Sequence, residues 1–305
     1  MMEADLIAWI RGRLPEHPRL RLGPGDDAAI LAWANRPDCV VTTDLLADGV
    51  HFDLAEHAAA RVGRKTLAVN LSDLAAMAAR PHSAVVSLLL PRDGAHQLAV
   101  DLYEGLLPLA EEFYLPIAGG DVNTWDGPLV VSVTLLGQLT DRGPLLRGGA
   151  RVGDQILVTG SLGGSMLGHH LDFTPRIEEA LELHRHYRLH AGMDISDGLA
   201  LDLSRMTTES GCGAELDVGA IPIADAAWEM AGAADTETAL RHALSDGEDF
   251  ELLLAVPPGE AQRLLSEQPI DVPVSCIGHF VDRPGLWRTD DRGDLVPLAA
   301  TGYQH

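Results

Sequence analysis

Apolar positions in the first half of the chain fall into short β-rich runs, separated by longer stretches of helical character. Helices are predicted over residues 3–14, 55–79 and 94–113. Strands are predicted over residues 39–46, 83–90, 115–121 (where the strand passes into a loop) and 129–139. Strands that alternate with long helices are typical of α/β or α+β domains.

The pattern begins again after a segment rich in Gly and Arg, residues 140–154. Strands are then predicted over residues 155–160, 191–195, 250–256 and 274–280, and helices over about 161–188 and 198–210. A shift in composition between two such patterns is typical of a domain boundary. We therefore expect two α/β domains of similar length, residues 1–140 and 141–305.

Composition and charge limit the partners of the chain. Its 305 residues, 46% of them hydrophobic, are enough to bury a large core. Lys and Arg number 22 against 45 Asp and Glu, and the net charge of −23 repels nucleic-acid backbones and anionic membrane surfaces. No apolar run approaches the roughly 20 residues of a membrane helix, and the acidic start lacks the basic segment of a signal peptide. We expect a cytoplasmic protein that binds neither nucleic acid nor membranes.

Cysteine and lysine usage excludes several kinds of site. Cys39, Cys212 and Cys276 are odd in number and far apart, so neither a CxxC metal pair nor a disulfide framework is predicted. Lys65 is the single lysine, which excludes phosphate sites that need several. It lies in "GRKT", which resembles the end of a P-loop but lacks the upstream glycine and has an arginine between its glycine and lysine. We therefore reject a P-loop here.

Aspartates recur where a predicted strand or turn ends. They are Asp26, Asp27, Asp44, Asp121, Asp194 and Asp197, and one more, Asp73, lies inside an apolar helical stretch. Singly, each fits a cap or a turn. As a set with little His or Cys nearby, they favour a hard cation bound through oxygen, above all Mg²⁺. Such a cation would also offset the negative charge of the chain toward a phosphate ligand.

Two further motifs are less specific. "TGSLGGSMLG" (159–168) follows a predicted strand but is not GxGxxG, so a packing turn and a phosphate cradle both stay open. "HRHYRLH" places His186 and His190 four residues apart, on one face of a predicted helix. Such a pair could bind zinc, but no HExxH pattern accompanies it, and we interpret it as a solvated helix face.

Seven segments carry a resemblance that extends over residues 5–303. They are "GPGDDAAI", "TTDLLADGVHF", "GRKTLAVNLSDLAAMAARP", "AGGDVN", "RGGARVGDQILVTGSLGGS", "MDISDGLALDLSRM" and "DGEDFELL". In order and spacing, the chain resembles the thiamine-monophosphate kinases of the aminoimidazole ribonucleotide synthetase superfamily. "NLSDLAAM" and "GEDFEL" are specific to this branch, whereas the paired aspartates are shared by the whole superfamily.

The resemblance implies an activity and a fold. The activity is phosphorylation of thiamine monophosphate to thiamine diphosphate, with ATP as co-substrate and several Mg²⁺ ions. Direct in-line transfer needs no covalent nucleophile and no general base, because the attacking group is already an ionised phosphate. The fold is the two-domain PurM-like α/β (α+β) architecture, whose N-terminal sheets form a barrel-like core across a homodimer.

The resemblance also implies roles for individual residues. The implied Mg²⁺ ligands are Asp27, Thr42, Asp44, Asp73, Asp121, Asp194 and Asp197. ATP contacts are implied for Gly120, Asp121, Arg147 and Ser196, and contacts to thiamine monophosphate for His51 and Glu248. Asp26 is left as a turn residue, with a contact to metal-bound water as the alternative.

The chain departs from the family pattern at three places, one of which is the run "HHLDFTPR" (169–176), short relative to many members. Val122 replaces a threonine in "GGDTT", and Ala300 or Thr301 stands where the family has an aromatic residue that packs on the substrate. Tyr303 is the candidate substitute for that aromatic residue. Two alternatives stay open: another ATP-dependent enzyme of the superfamily with a different acceptor, and a nucleotide and Mg²⁺ binder without catalytic activity.

Overall fold

The computed structural model describes residues 20–22, 26–32, 38–232, 235–290 and 292–303. The helix expected over residues 3–14 lies outside the described residues. The described residues form two mixed sheets with helices, one sheet from each half of the chain. This α/β arrangement confirms the expected fold class.

The first sheet has six strands. Their bounds are β1 Leu20–Leu22, β2 Ala29–Leu31, β3 Cys39–Ala47, β4 Arg80–Pro91, β5 Ile117–Trp125 and β6 Val130–Gln138. The spatial order is β1-β2-β3-β6-β4-β5, and only the pair β4 and β5 runs parallel among these strands. Two long helices, α1 Ala59–Ala76 and α2 Ala95–Glu112, connect the strands around β4. Strand β5 therefore lies at one edge of this sheet.

The second sheet has seven strands. Their bounds are β7 Gln155–Thr159, β8 Ala191–Asp194, β9 Gly213–Leu216, β10 Leu252–Val256, β11 Val274–Val281, β12 Gly285–Thr289 and β13 Leu295–Pro297. The order is β13-β12-β9-β11-β7-β10-β8, antiparallel except for β12 beside β9. The helices of this half are α3 His169–Asp172, α4 Ile177–His186, α5 Leu199–Ser210, α6 Asp225–Ala231, α7 Thr236–Ser245 and α8 Pro258–Glu267. Strand β8, which ends at Asp194, lies at the edge opposite β13.

The two faces of the first sheet differ. In β6 the apolar residues Val131, Val133 and Leu135 are buried, and the residues between them are only half-buried. The buried face packs against α1 and α2, as the period of two in a strand requires. The opposite face has no cover within the described part of this chain, and it exposes Leu45 (63%) and Val85 (39%).

Helix α1 packs against both halves of the molecule. It contacts α2 and the first sheet on one side, and β8, α3 and α4 on the other. Its approach to α2 is close, because a Cβ at Gly63 would stand 1.9 Å from the carbonyl oxygen of Leu102. A helix enclosed in this way is buried nearly all round, which explains its long Ala- and Leu-rich sequence. It also brings its polar residues into the space between the two sheets.

The structure corrects several boundaries. The segment 115–121 does not pass into a loop at its end but continues as β5 to Trp125, because it pairs along its length with β4. The helices expected over about 161–188 are α3 and α4, which are shorter than that range and are separated by a segment that contains Pro175. Helix α4 ends at His186, so His186 and His190 do not share a helix face. His190 instead lies beside Asp154, with its Nδ1 2.7 Å from a carboxylate oxygen.

Candidate active site

Carboxylates from both halves of the chain converge where α1 meets the two sheets. Asp44 lies on β3, Asp73 on α1, Asp194 at the end of β8, and Asp27 just before β2. Burial, and next the charges of Asp44, Asp194 and Asp27, raise the pKa of Asp73 well above its usual range. Four aspartates far apart in the sequence therefore share one electrostatic environment.

The same crowding acts on the other members of this cluster. Burial raises the pKa of Asp44 to about 6. Burial, and next the charge of Asp27, raises the pKa of Asp194 well above its usual range. Carboxylates that resist ionisation in this way have too little positive charge nearby to offset their burial, and a bound cation would supply it.

Two hydroxyl groups hold the buried aspartates in place. Thr42 donates a hydrogen bond from Oγ1 to Oδ2 of Asp73, and Ser72 donates from Oγ to Oδ2 of Asp194 at 2.5 Å. Thr42 and Asp44 both lie on the helix-covered face of β3, because they are two residues apart in one strand. The predicted residue Thr42 thus touches the cluster directly.

Arg147 closes one side of the cluster. Its Nη2 donates to Oδ1 of Asp27 at 2.5 Å, and its backbone N–H donates to Oδ2 of Asp26 at 3.1 Å. Burial, and next the charge of Asp27, raises the pKa of Asp26 to about 6. Asp26 therefore holds the backbone of Arg147, which lies in the linker between the two sheets. It also holds its own turn, where its Oδ1 accepts from the N–H of Asp27.

The loop after β8 carries Ser196 and Asp197 beside the cluster. Both residues donate their backbone N–H to Oδ2 of Asp202, at 3.1 and 2.9 Å. Arg205 donates from Nη1 to Oδ1 of Asp202 at 2.7 Å and also contacts Oδ2 of Asp197. Asp202 is fully buried and orders this loop, a role that sequence reasoning missed. Its position one turn into α5, in "DGLALD", was the available signal.

Asp121 and Gly120 lie apart from the other predicted residues. Asp121 is exposed on β5 and pairs in register with Ser87, which pairs with Ser132 on the open face of the sheet. Asp44 pairs with Val133, whose side chain is buried under the helices. The structure therefore places Asp121 and Asp44 on opposite faces of one sheet. Gly120 is required by strand packing, since a Cβ there would stand 1.7 Å from the carbonyl oxygen of Val86.

The two predicted substrate residues meet through Lys65. Its Nζ donates to both carboxylate oxygens of Glu248, at 2.7 and 2.8 Å, and to the backbone oxygen of His51, at 2.6 Å. The Lys65 side chain is fully buried in the middle of α1. Sequence reasoning examined Lys65 only as part of a P-loop. Its position as the single lysine within an apolar helix was the signal of another role.

The C-terminal stretch passes over the loop that carries Ser196. Tyr303 donates its backbone N–H to the carbonyl oxygen of Asp197 at 2.9 Å, and its side chain is 45% exposed. The stretch that lacks the aromatic residue of the family thus still reaches the candidate site. The glycine-rich segment 159–168 lies after β7, and its Gly163 N–H donates to the buried Asp249 at 2.8 Å.

The donor set fits Mg²⁺ without being a finished coordination sphere. In the described ranges, no group of three or more His, Cys, Asp or Glu is arranged to hold one ion directly. However, Oδ2 of Asp27 is buried without a hydrogen-bond partner among the described residues. A buried carboxylate oxygen without a hydrogen-bond partner, close to other negatively charged carboxylates, suits a hard divalent cation.

The chain is similar to known proteins along nearly its whole length. The models of the N-terminal and C-terminal domains of AIR synthase related proteins match residues 25–139 and 151–289. The thiamine-monophosphate kinase of Rhodopirellula baltica is 45% identical, over 100% of this chain and 97% of that protein. The thiamine-monophosphate kinase of Escherichia coli K12 is 35% identical, over 94% of this chain and 92% of that protein.

Solved structures show the same relationship. The structure of AaThiL complexed with AMPPCP and TMP superposes with a TM-score of 0.85 at 27% identity, covering 100% of this chain and 97% of that one. Escherichia coli HypE, a hydrogenase maturation protein, superposes with a TM-score of 0.74 at 15% identity, over 98% of both chains, and shows the fold alone. The chain therefore belongs to the family of the thiamine-monophosphate kinases, built from the two domains of the AIR synthase related proteins.

Proposed function

We propose that this chain transfers the γ-phosphoryl group of ATP to thiamine monophosphate, giving ADP and thiamine diphosphate. The observation that carries the proposal is the carboxylate cluster of Asp27, Asp44, Asp73 and Asp194, which lies against Arg147 between the two sheets. It occurs in a chain 45% identical to a thiamine-monophosphate kinase along its whole length. A cluster of this kind supplies positioning and charge neutralisation, which in-line phosphoryl transfer needs most.

The proposed roles follow from the contacts. Arg147 binds a phosphate of ATP, since its buried Nε–H has no hydrogen-bond partner among the described residues and one edge of its fork stays available beside Asp27. The loop with Ser196 contacts the nucleotide. Its backbone is already ordered for such a contact by Asp202, which is itself held by Arg205. His51 and Glu248 contact thiamine monophosphate from opposite domains, joined by Lys65.

Mg²⁺ is the cation that we propose for the cluster. Asp27, Asp44, Asp73 and Asp194 would hold it, with Thr42 fixing the carboxylate of Asp73. When bound, Mg²⁺ neutralises phosphate charge and orients the two phosphate groups for in-line transfer. Asp197 would also hold Mg²⁺ if its contact with Arg205 opened. The two carboxylates that Arg205 contacts, those of Asp197 and Asp202, lie in or next to the loop that carries Ser196.

A homodimer that packs through the open face of the first sheet would complete the site. This face exposes Leu45 and Val85, and the edge strand β5 exposes Val122 (60%). Exposed apolar residues and an unpaired strand edge favour association. We propose that Asp121 and Gly120 of each subunit act in the site of the other, because Asp121 lies on this face, away from the cluster of its own chain.

Subunit mixing tests the shared site. Asp73→Asn and Asp121→Asn should each be inactive, and their 1:1 mixture after subunit exchange should recover about one quarter of wild-type activity. Half of the mixed dimers are heterodimers, and each has one intact site if the site is shared. Recovery of no activity from a mixture shown to contain heterodimers would place Asp121 in the site of its own chain.

The direct assay separates the candidate functions. The protein is incubated with ATP, Mg²⁺ and thiamine monophosphate, and thiamine diphosphate is measured by chromatography. Product is the expected result. Product only with another phosphorylated acceptor would favour a different enzyme of the superfamily. ATP binding without turnover of any acceptor would favour a binding protein, for which the altered C-terminal stretch at Ala300 and Thr301 is the favouring feature.

We also propose the position of the domain boundary and the cellular location of the protein. The domain boundary lies near residue 140, since β6 ends at Gln138 in one sheet and β7 begins at Gln155 in the other. In the described residues, no helix is both long and apolar enough to cross a membrane. The three cysteines are free, which is consistent with the cytoplasmic location that we propose.

A further inference from the structure

Lys65 is a buried charge that links the two predicted substrate residues. We propose that Lys65 is a positioning residue, which holds the carboxylate of Glu248 and the loop of His51 in the arrangement that binds thiamine monophosphate. This inference rests on the proposed function and deepens it. It concerns binding of the phosphorylated substrate and assigns no step of the transfer to Lys65 itself.

The contacts of the ammonium group show that it acts through other residues. Nζ has three contacts, two with the carboxylate of Glu248 and one with the backbone oxygen of His51, all between 2.6 and 2.8 Å. An ammonium group has three N–H donors, so these contacts use its full capacity. The side chain is fully buried. Lys65 therefore has neither a free donor nor the exposure to bind a phosphate directly.

Glu248 needs such a support because of its backbone. Its φ of 54° lies in the left-handed region, which costs free energy for a residue with a side chain. Its N–H donates to the carbonyl oxygen of Ser196 at 2.6 Å. Ser196 lies in the loop after β8 that we propose contacts ATP, called the nucleotide loop below. Glu248 is thus held at its backbone by the nucleotide loop and at its carboxylate by Lys65. Loss of the ammonium group frees the carboxylate to leave this position.

His51, which lies in the same half of the chain as Lys65 and in the opposite half from Glu248, is fixed by the same ammonium group. Its backbone oxygen accepts from Lys65, and its Nδ1 accepts from the backbone N–H of Ala47 at 3.1 Å. An Nδ1 that accepts a hydrogen bond places the proton of the neutral ring on Nε2. Lys65 therefore holds a loop whose imidazole has a defined orientation and tautomer.

A neighbouring ion pair provides a matched control. Arg61 lies one turn before Lys65 on α1 and donates from Nε to Oδ1 of Asp172 at 3.0 Å, so it also joins α1 to the second half of the chain. Among the described residues, its guanidinium donates to Asp172 and to the carbonyl oxygen of Gly168, and not to His51 or Glu248. Arg61→Met removes a cross-domain ion pair of the same helix without touching the proposed arrangement.

Steady-state kinetics test the role first. Lys65→Met should raise the KM for thiamine monophosphate at least about tenfold, while the KM for ATP changes by less than about threefold. Arg61→Met should leave both values within about twofold. An equal rise of both KM values in Lys65→Met, or an equal change in Arg61→Met, would show a general structural role and overturn the proposal.

Nitrogen NMR gives a readout that does not depend on turnover. Because Lys65 is the single lysine, protein labelled with ¹⁵N-lysine has one Nζ resonance. Saturating thiamine monophosphate should shift this resonance in the wild type, and the shift should be much smaller in Glu248→Gln. An unmoved resonance, with binding confirmed by calorimetry, would overturn the proposal even if Lys65→Met does not fold.

The two proposals fail in different ways. Absence of thiamine diphosphate in the wild-type assay refutes the proposed function. Wild-type turnover with an unchanged KM for thiamine monophosphate in folded Lys65→Met refutes only the positioning role.

Discussion

Asp44 is the residue at which stability and activity should respond in opposite directions. Burial raises its pKa from an ordinary 3.8 to about 6. A rise of about two units, at about 1.4 kcal/mol per unit, corresponds to an ionisation penalty of at most about 3 kcal/mol in the folded state. Asp44→Asn removes the charge and little volume. We therefore expect the variant to be more stable than the wild type at pH 8 by about 1–3 kcal/mol, and inactive.

The pH dependence follows from the direction of the shift. Below about pH 4 the carboxyl is protonated in both the folded and the unfolded state, so it contributes no penalty. The penalty grows between about pH 4 and 6, because in this range the carboxyl ionises in the unfolded state and resists ionisation in the folded state. It is complete above that range. The stability difference between Asp44→Asn and the wild type should therefore be large at pH 8 and about one third as large at pH 4.5, where the carboxyl is already largely ionised in the unfolded state.

Urea unfolding of both proteins at these two pH values, in EDTA, measures the difference. Asp93→Asn, an exposed aspartate just before α2, is the control and should change stability by less than about 0.5 kcal/mol. Added Mg²⁺ should stabilise the wild type and have a smaller effect on Asp44→Asn. Equal stability of the wild type and the variant at pH 8 would refute the electrostatic reasoning, and unchanged turnover would remove Asp44 from the site.

Three further variants test other parts of the structure. Gly63→Ala should lower stability to urea by about 2–4 kcal/mol, because a Cβ there stands 1.9 Å from a backbone oxygen of α2, whereas Gly259→Ala has nothing within 4 Å and should change it by less than about 1 kcal/mol. Similar stabilities of these two variants would contradict the close helix contact. His170→Asn should lose less stability than the wild type on acidification. Burial lowers the pKa of His170 from 6.5 to about 4, so the free energy of unfolding of the wild type falls by up to about 3 kcal/mol as the pH falls from about 6.5 to 4. A slope identical to that of the wild type in urea unfolding would rule this out. Asp202→Asn should reduce kcat at least about tenfold with an unchanged circular dichroism spectrum, since an amide cannot both accept from the loop of Ser196 and accept from Arg205 through two oxygens; normal kcat would leave Asp202 a purely structural residue.

Much of the carboxylate cluster was predictable because its signals are local. Asp44 and Asp194 stand at or near the ends of apolar runs that became β3 and β8, and Asp73 interrupts the apolar helix α1. Each lies where a short-range pattern already indicated an exposed end or an unusual buried charge. The resemblance to the kinase family then supplied the roles that the pattern alone left open.

Other parts were not predictable from short-range patterns. Lys65 and Glu248 are 183 residues apart, and nothing within either segment indicates the other. Asp202 was hidden in the same way, because its acceptor role depends on how the loop after β8 folds back over the first turn of α5. Short strands such as β9 and β13 were missed, since three or four residues are too few to show a period of two.

By itself, the sequence determined the alternation of strands and helices, the apolar character of α1 and a set of aspartates suited to a hard cation. Only the tertiary structure decided which of these aspartates meet. Strand pairing assigns Asp44 to the helix-covered face and Asp121 to the open face of the same sheet. Side chains alternate along every strand, so the face of each residue depends on register, and register is set by contacts between segments far apart in the chain.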